Sequence, residues 1–385
     1  MMLGDWIGFA FAALALIGIG YQLVALAALR RFFARPAPLG SGIEPVTILK
    51  PLHGAEPRLT ANLGSFLDQN YAGPVQMVCG VGDADDPATA AVEELRSLDP
   101  QADIVLTTGP RGRGANGKIG NLMAMMPAAL HDVLIMSDSD MAGGPDYLAR
   151  LLAALDQPGV GAVTCLYTGR GDAGIWSQIG AAAISYTGLP NMVMALSTSI
   201  AQPCMGSTIA IRRETLEAIG GFARFADHLA DDYAIGQALA ARRLKVAVPP
   251  MLLTHACADR SLAELWRHHL RWSVTIRSVA PMRHTGSGVT HAFAFALMAT
   301  PFQPQIGLAL VAAALGVRLW LARSVDRIAG RPGTSLWLLP LADCLEFAAF
   351  VASLAARTID WRGSRLTVAP RGRIADFNPS ATEIS

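Results

Sequence analysis

The sequence is poor in charged residues. Aspartate, glutamate, lysine and arginine make up 16% of the 385 residues and 52% are hydrophobic, whereas average soluble domains carry about 25% charged residues. The formal net charge is only +1, which gives no global attraction to nucleic acid. The five cysteines are scattered and form no Cys-x-x-Cys pair. This pattern argues against a disulfide framework or a zinc site and favours a reducing compartment.

Charge is missing altogether from a long segment near the N-terminus. The residues from Trp6 to Leu29 carry none, and about 20 apolar residues suffice to cross a bilayer as a helix. Arg30, Arg31 and Arg35 follow this segment, whereas a cleaved signal peptide has its positive charges in front. We therefore expect residues 1–35 to form a transmembrane anchor in the inner (cytoplasmic) membrane. The positive-inside rule places the domain that follows on the cytoplasmic face.

Beyond a linker at residues 36–44, short apolar segments alternate with helical patterns. Strands are expected at Val46–Lys50, Val75–Val81, Ile104–Leu106, Val133–Met136 and Val160–Leu166, and helices near Arg58–Asp68, Ala88–Leu98, Lys118–Leu130 and Tyr147–Leu155. The alternation predicts an α/β fold whose mostly parallel sheet is covered by helices on both faces. Ligands of such sheets bind beyond the carboxyl ends of the strands.

Two other regions are apolar but ambiguous. Ala173–Ile211 contains no charged residue, yet it is rich in Gly, Ser, Thr and Pro, so it fits either buried core or a segment in the bilayer interface. Val289–Gln303 and Ile306–Leu321 are short for spans and predict a tilted hairpin or a re-entrant pair. Leu336–Ala356 is long enough to span.

The C-terminal part thus predicts membrane helices within residues 289–356 and a cytoplasmic tail at 357–385. Two acidic residues, Asp343 and Glu346, interrupt the last apolar segment. Arginines lie on both sides of that segment, and the positive-inside rule favours the cytoplasm for both sides. Strict alternation of spans cannot satisfy both unless one segment enters the membrane without crossing it, so the topology is left open.

Acidic residues follow two of the predicted strands. Asp138 and Asp140 end a strand so apolar that it should be central, where a merely solvated turn is a poor explanation. Their hard oxygens suit Mg²⁺ or Mn²⁺, which would bridge them to a diphosphate and neutralise charge on a leaving nucleoside diphosphate. Asp83 and Asp86, in the turn after the second strand, can accept hydrogen bonds from a base or ribose. An ordinary acidic turn has the same composition.

Three further features suit the same chemistry. Asp231 and Asp232 precede an apolar helical pattern, so that one can cap the helix and the other can serve as a base for an acceptor hydroxyl. Lys118 stands at the start of a predicted helix, where its positive charge opposes the helix dipole. A nucleotide phosphate bound there would compensate that charge. The alternative is that Lys118 is simply exposed to solvent. Arg271 offers a planar fork for diphosphate and Trp272 a stacking face, although an Arg-Trp pair is also a common interface anchor.

With these motifs in this order, the sequence resembles the ceramide glucosyltransferase family, a membrane branch of the GT-A glycosyltransferases related to GT2 and GT21. The resemblance runs from Val46 to Arg283, with a weaker echo at Ile359–Arg362. The matching pieces are Ile48–Leu52, Asp85-Asp86-Pro87, Lys118–Leu122, the Asp138 turn, Asp231-Asp232-Tyr233 and Arg271-Trp272. The resemblance implies a GT-A catalytic domain at residues 45–283.

The resemblance also implies a role for each matched residue. Asp86 would be the first family aspartate, near the nucleotide and with Asp83 close by. Asp138 would belong to the metal and UDP site, together with Asp140, an acid that animal members often lack. Asp232 would be the general base.

Arg271 and Trp272 would be catalytic residues at the end of the family's (Gln/Arg)-x-x-Arg-Trp motif, and Arg271 would also bind the nucleotide. His268 departs from that motif because it stands where Gln or Arg is expected. The role of this histidine is left open.

The function implied is transfer of one hexose, glucose or N-acetylglucosamine, from a UDP-sugar to a hydroxyl of ceramide or a hopanoid, with inversion and with Mg²⁺ or Mn²⁺. Three blocks look more like the hopanoid-associated bacterial branch: Gly161–Tyr167, Pro203–Arg213 and Leu265–Arg271. The alternatives are a processive polysaccharide synthase, a polyprenyl-phosphate glycosyltransferase and a non-enzymatic nucleotide-binding scaffold. The synthase would need more spans, and the scaffold predicts a degenerate set of acids.

Overall fold

A computed structural model describes residues 3–36, 43–109, 114–198, 204–356, 358–361, 364–368 and 372–376. The linker, the glycine-rich loop before Lys118 and the C-terminal tail therefore lie partly outside the described residues. The chain divides into a sheet unit, residues 35–167 and 198–258, and a helical unit, residues 1–34, 168–197 and 259–385. Residues 168–197 and 259–283, which the sequence places within the 45–283 domain, group with the helical unit.

The elements are numbered in chain order. The helices are α1 (Leu3–Phe33), α2 (Leu59–Gly64), α3 (Ala88–Leu98), α4 (Gly117–Met125), α5 (Tyr147–Leu155), α6 (Ile175–Ala183), α7 (Leu189–Ser197), α8 (Arg213–Ala218), α9 (Asp231–Ala241), α10 (Leu262–Val279), α11 (Pro281–Gly286), α12 (Ala292–Ala299), α13 (Pro304–Ala329) and α14 (Leu339–Ala355). The strands are β1 (Val46–Pro51), β2 (Val75–Val81), β3 (Asp103–Thr108), β4 (Val133–Ser137), β5 (Met141–Ala142), β6 (Val160–Thr164), β7 (Leu166–Gly171), β8 (Thr208–Arg212), β9 (Lys245–Ala247), β10 (Leu252–Cys257), β11 (Thr358–Trp361), β12 (Ser364–Val368) and β13 (Ile374–Asp376).

The sheet unit is built on a seven-stranded sheet with the order β3-β2-β1-β4-β8-β6-β9. β1 pairs in parallel with β2 and with β4, and β2 pairs in parallel with β3. β8 runs antiparallel between β4 and β6. The predicted α/β architecture is confirmed. Because β1, β2 and β4 are parallel, the turns that follow them, including those with Asp86 and Asp138, lie at one edge of the sheet.

Both faces of this sheet are buried. On β4, Val133 and Ile135 join one hydrophobic cluster, whereas Leu134 and Met136 join the other. This alternation follows from the two-residue period of a strand. The first cluster packs residues of α2, α3 and α5 on one face, and the second packs residues of α4, α8 and α9 on the other. With apolar helices on both sides, only the ends of the strands remain for polar chemistry.

Several boundaries differ from the sequence expectation; α2, for example, ends at Gly64 and not at Asp68. The helix expected to reach Leu130 ends at Met125, and a single 3₁₀ turn covers Met126–Ala128. Pro127 accounts for this because it has no backbone N–H for a continuing helix. The strand expected at Val160–Leu166 divides at Cys165: β6 joins the large sheet, and β7 joins a second sheet of order β5-β10-β7.

Among its described residues, the helical unit contains four helical segments that are long and apolar enough to cross a membrane. They are Leu3–Phe33, Ile175–Ser197, Pro304–Ala329 and Leu336–Ala355. The second lies in the uncharged stretch that the sequence left as core or interface, and it continues from α6 into α7 through a π-helical turn at Ile184–Gly188. Residues 199–203 of that stretch lie outside the described residues.

The segment Ile306–Leu321, expected to be short for a span, is part of α13, a helix of 26 residues. The expected segment ended at Leu321, whereas the helix continues to Ala329 through the charged residues Arg323, Asp326 and Arg327. Arg318 is buried, and its guanidinium contacts Asp343 of α14 through bonds of 2.6–3.0 Å. A paired charge of this kind is tolerated in an apolar bundle, so the helix continues past it.

Small residues set the packing of α1 in the helical unit. Ala12 and Ala15 pack in one cluster with Ala296 and Ala299 of α12. At Gly18, an added Cβ would come within 2.6 Å of the Val289 carbonyl oxygen. Close approach through small side chains is the usual way in which membrane helices associate.

The tight packing of the sheet predicts a position-specific effect of adding a methyl group. A Cβ on Gly80 of β2 would come within 2.3 Å of Asn121 Oδ1 and 2.5 Å of Met125 Sδ, whereas one on Gly144 would meet nothing within 4 Å. We expect Gly80→Ala to lower the free energy of unfolding by about 1–3 kcal/mol, the usual cost of overpacking. Gly144→Ala is the matched control. Equal denaturant midpoints for the two variants in detergent would contradict the packing described here.

Candidate active site

The Asp138–Asp140 turn stands directly after β4 and is held by backbone hydrogen bonds. The Asp138 N–H donates to the Ser207 carbonyl over 3.1 Å, and the Ala256 N–H donates to the Asp140 carbonyl over 2.7 Å. The side chains of the two aspartates remain about a third exposed, at 34% and 31%. A fixed turn with reachable carboxylates is suited to bind an incoming ligand.

A buried lysine lies beneath this turn. Lys50 of β1 is fully buried, and its Nζ donates to Ser137 Oγ and to the Asp138 carbonyl, both over 3.0 Å. The ammonium also lies 3.4 Å from the centre of the Phe66 ring, within cation–π range. Burial lowers the pKa of Lys50 to about 7, although Asp138 and Asp140 act to raise it.

A second lysine joins two of the acidic motifs. Lys118 Nζ lies 2.6 Å from Asp138 Oδ1 and donates to the Gly206 carbonyl over 2.7 Å. The Gly206 N–H in turn donates to Asp232 Oδ2 over 2.8 Å. Asp138 and Asp232, which are far apart in the sequence, are thus linked through Lys118 and the backbone of Gly206.

The electrostatics of Lys118 agree with this geometry. Burial alone would lower its pKa, but the carboxylates of Asp138, Asp231 and Asp232 raise it above the ordinary value. The Asn116 side chain accepts from the Lys118 and Ile119 N–H groups and so caps α4 at the point where Lys118 projects. Lys118 is therefore a charged ammonium surrounded by acids.

Asp232 lies in the first turn of α9, and backbone N–H groups contact both of its carboxylate oxygens. The Tyr233 N–H donates to its Oδ1 over 2.7 Å, in addition to the Gly206 N–H bond to Oδ2. Burial and the neighbouring Asp231 carboxylate raise the pKa of Asp232 to about 6, against the lowering effect of these two donors and of Lys118. Asp231 accepts a 3.2 Å bond from the Asn116 side chain, and its pKa is also raised by burial.

Asp140 has a partner of its own. His255 Nε2 of β10 lies 3.2 Å from Asp140 Oδ2, and the Tyr167 ring stacks on the imidazole at 5.7 Å. Burial would lower the pKa of His255, but the Asp140 carboxylate raises it well above the ordinary value. Between the two aspartates, Ser139 Oγ donates to Glu56 Oε1 over 2.8 Å.

Asp86 lies at the same edge of the sheet and organises the neighbouring turn. Its Oδ1 accepts from the Gly54 and Ala88 N–H groups over 2.8 and 2.9 Å, and its Oδ2 lies 3.2 Å from His53 Nδ1. Burial would raise the pKa of Asp86, but these donors lower it below the ordinary value. Asp83 is exposed and accepts from the Asp85 N–H.

Arg271 and Trp272 lie on α10, in the helical unit. The Trp272 ring packs against the rings of His268, at 4.2 Å, and His269, at 6.2 Å. His268 Nδ1 lies 3.5 Å from Asp259 Oδ1, and His269 Nδ1 lies 2.7 Å from Glu346 Oε1. The catalytic roles expected for Arg271 and Trp272, and the binding of the nucleotide by Arg271, stay predictions.

Glu56, Gly206 and His255 were not expected at this site from the sequence, and Lys50 was expected only as part of a matching motif. The signal for Lys50 was a lone cation in an otherwise apolar strand, which demands a buried partner. Glu56 and His255 lie in ordinary polar contexts. Their roles arise only from the approach of distant segments to the Asp138–Asp140 turn.

Oxygen ligands suitable for Mg²⁺ or Mn²⁺ are present, but the protein supplies only part of a shell. Within the described ranges, no group of three or more His, Cys, Asp or Glu side chains converges as a metal site. Asp138 and Asp140 offer hard carboxylate oxygens at an exposed edge. Such ions are commonly held by one or two carboxylates, with the remaining ligands from phosphates and water. The residues present fit that mode of binding.

Comparison with known proteins identifies the family. The chain matches the profile of Glycosyl transferase family 21 over residues 10–374. It belongs to this family. The family 21 chain is similar to ceramide glucosyltransferase 3 of Caenorhabditis elegans, with 26% identity over 242 residues, 60% of this chain and 50% of the relative. It is also similar to ceramide glucosyltransferase 1 of the same organism, with 24% identity over 290 residues, 71% of this chain and 60% of the relative.

The chain thus spans 50–60% of the length of these two relatives. Among solved structures, it resembles the mannosyltransferase PcManGT from Pyrobaculum calidifontis in complex with GDP-Man and Mn²⁺. The TM-score is 0.55 and the identity 20%, over 92% of this chain and 99% of that one. The resemblance to the ceramide glucosyltransferase family and the GT-A fold are confirmed.

The contacts of Asp86 predict a pH-dependent contribution to stability. We expect Asp86→Asn to lower the free energy of unfolding at neutral pH by about 1–2 kcal/mol because a charge-assisted network is lost. The pKa of the native carboxyl lies below its ordinary value, so its contribution is present at neutral pH. It should vanish as the pH falls below about 4.

Exposed Asp85 provides the control, since Asp85→Asn should unfold like the wild type. The measurement is thermal unfolding in detergent between pH 3 and pH 7. A constant difference between wild type and Asp86→Asn over that whole range would show that the charge of Asp86 is not what stabilises the turn.

Proposed function

We propose that this glycosyltransferase transfers a single hexose, glucose or N-acetylglucosamine, from a UDP-sugar to a hydroxyl of a membrane lipid, a ceramide or a hopanoid. The observation that carries the proposal is the link from Asp138 through Lys118 and Gly206 to Asp232. It brings an acid suited to the metal and diphosphate, a cation and a candidate base to one edge of the sheet. The names of the nematode relatives support a lipid acceptor.

In this proposal Asp138 and Asp140 would hold the divalent cation, and Lys118 would face the diphosphate of the donor. The metal, when bound, supplies Lewis-acid neutralisation of the charge on the departing UDP. Binding of Mn²⁺ and a sugar nucleotide by the archaeal mannosyltransferase agrees with this arrangement. Lys50 and His255 hold the Asp138–Asp140 turn from below and from the side.

Asp232 would act as the general base. Its carboxylate accepts the proton of the lipid hydroxyl while the hydroxyl oxygen forms a bond to the anomeric carbon. The bond from that carbon to the UDP oxygen breaks, and UDP leaves with the electron pair. One displacement of this kind inverts the anomeric centre. A base with a pKa of about 6 is ionised at neutral pH and still accepts a proton readily.

The helical unit suits an acceptor that stays in the membrane. In the part of the chain that the structure describes, four helical segments of this unit are long and apolar enough to cross a bilayer. We propose that the protein lies in the cytoplasmic membrane with its sheet unit on the cytoplasmic side, as the arginines after α1 indicate. A scaffold without catalysis is disfavoured because the acids, the lysine and the base form one connected cluster.

Removal of the proposed base should abolish turnover without loss of the donor. We expect Asp232→Asn to lower kcat by at least about 10²-fold, the usual contribution of a positioned general base, while UDP binding survives. Asp231→Asn is the matched control, since it removes a carboxylate one residue away and should retain activity. The assay uses purified protein in detergent with labelled UDP-glucose or UDP-N-acetylglucosamine and with ceramide or a hopanoid polyol.

The same assay identifies donor and acceptor through the lipid product. Full activity of Asp232→Asn would refute the assignment of the base. Tight UDP binding with turnover of neither donor on either lipid would refute the transfer proposed here and favour the scaffold.

The rate should depend on pH through Asp232. Because the base must be ionised, we expect kcat/KM to fall below pH 6, by about tenfold per pH unit. Asp231 raises this pKa, whereas Lys118 and the Gly206 and Tyr233 N–H groups lower it. Asp231→Asn should therefore shift the acid limb of the profile to lower pH. An unshifted limb would show that another group titrates.

A further inference from the structure

Lysine is rare in this protein, and its positions are informative. Of the 31 lysine and arginine residues, only Lys50, Lys118 and Lys245 are lysines. Lys50 and Lys118 both contact Asp138, one at its backbone carbonyl and one at its carboxylate. Lys245 is exposed on the edge strand β9. The protein thus uses arginine almost everywhere except at this aspartate.

The two cations do different things there. Lys50 is fully buried and contacts the backbone of the turn, so that it is a permanent part of the fold. Lys118 keeps 17% of its side chain exposed and contacts Asp138 Oδ1, one of the oxygens offered to a metal. An ammonium is a compact charge on a flexible stem, whereas the rigid fork of arginine would bind the carboxylate through two bonds. Lys118 is therefore the cation that can leave.

Two interactions determine the position of the Lys118 ammonium: its ion pair with Asp138 and a possible ion pair with a bound diphosphate. Without a ligand, it neutralises Asp138 and faces Asp231 and Asp232. A divalent ion that approaches Asp138 alone meets this positive charge and must compete with it for the same oxygen. A nucleoside diphosphate brings negative charge of its own, which gives the ammonium another partner.

We propose that Lys118 is a displaceable counter-ion that couples metal binding to nucleotide binding. In the ligand-free protein it occupies the carboxylate of Asp138 and keeps the affinity for a divalent cation low. When a nucleoside diphosphate enters with the cation, Lys118 pairs with the diphosphate and releases Asp138. This inference rests on the proposed function, because it takes Asp138 as a metal ligand. Such a coupling is reciprocal, so the metal strengthens nucleotide binding by the same factor.

The test is a titration of full-length protein in detergent with Mn²⁺ at pH 8, with and without UDP. Free Mn²⁺ is measured by electron paramagnetic resonance. A nearby cation weakens the affinity of a carboxylate for a proton by about tenfold or more, and a metal ion should be affected in the same way. We therefore expect Lys118→Met to bind Mn²⁺ at least about tenfold more tightly than wild type without UDP. The gain in Mn²⁺ affinity that UDP produces should shrink by a similar factor.

Two further variants make the result interpretable. Lys245→Met removes the exposed lysine and should titrate like wild type. Lys118→Arg keeps the charge, so that Mn²⁺ alone should still bind weakly, and the UDP-dependent gain should fall because the guanidinium releases Asp138 less readily. If Lys118→Met fails to fold, this arginine variant decides the question.

The outcomes separate the coupling from the function on which it rests. If UDP strengthens Mn²⁺ binding to wild type while Lys118→Met behaves identically to it, the counter-ion role is overturned and the metal site stands. If wild type binds no Mn²⁺ even with UDP and its turnover persists with a chelator, the metal-dependent part of the proposed function falls, and the coupling falls with it. If Lys118→Arg gains Mn²⁺ affinity as Lys118→Met does, charge is not the cause and the proposal is overturned.

Discussion

The carboxylates at one edge of the sheet must be neutralised, and the rest of the site follows from that constraint. Asp138, Asp140, Asp231 and Asp232 approach one another at the end of strands whose faces are fully covered. Carboxylates that are partly removed from water repel one another unless cations lie close by. Lys118 and His255 provide those cations from two separate segments of the chain, and the buried Lys50, whose pKa is lowered to about 7, holds the backbone of the Asp138 turn.

The same constraint explains why the acids differ in character. Asp138 and Asp140 each face a cation directly and remain a third exposed, which suits them to exchange that partner for another. Asp232 has backbone donors on both oxygens but also the Asp231 carboxylate beside it, and its pKa rises to about 6. Environment alone therefore separates a group suited to hold a cation from one suited to accept a proton.

In the helical unit, ionisable side chains lie in apolar surroundings and are also paired with opposite charges. Arg318 is paired with Asp343, and its guanidinium also donates to the Tyr186 carbonyl. Glu346 of α14 lies 2.7 Å from the Nδ1 atom of His269. His269 lies on α10, the helix that also carries Arg271 and Trp272. Breaking such a buried pair by removing one partner typically costs about 3–5 kcal/mol. These pairs explain how α13 and α14 keep ionisable residues without losing their length.

Local pattern was sufficient for much of the sheet unit. The expected bounds Val75–Val81 and Ala88–Leu98 agree with β2 and α3, because the periodicity and turn residues that define these elements lie within each segment. The acidic turn after β4 was visible for the same reason. The mostly parallel pairing also followed, since strands that alternate with helices favour parallel neighbours.

Only the tertiary structure decided which side chains meet. The link between Lys118 and Asp232 passes through the carbonyl and the N–H of Gly206, and no local sequence pattern encodes those two contacts. Nor did composition reveal that Ile175–Ser197 is helical or that Arg318 has a partner in another helix. The sequence alone determined the fold class, the family and elements such as β2 and α3, because these depend on short-range periodicity and ordered motifs. Pairing of charges depends on contacts across the folded chain, so it emerged only with the fold.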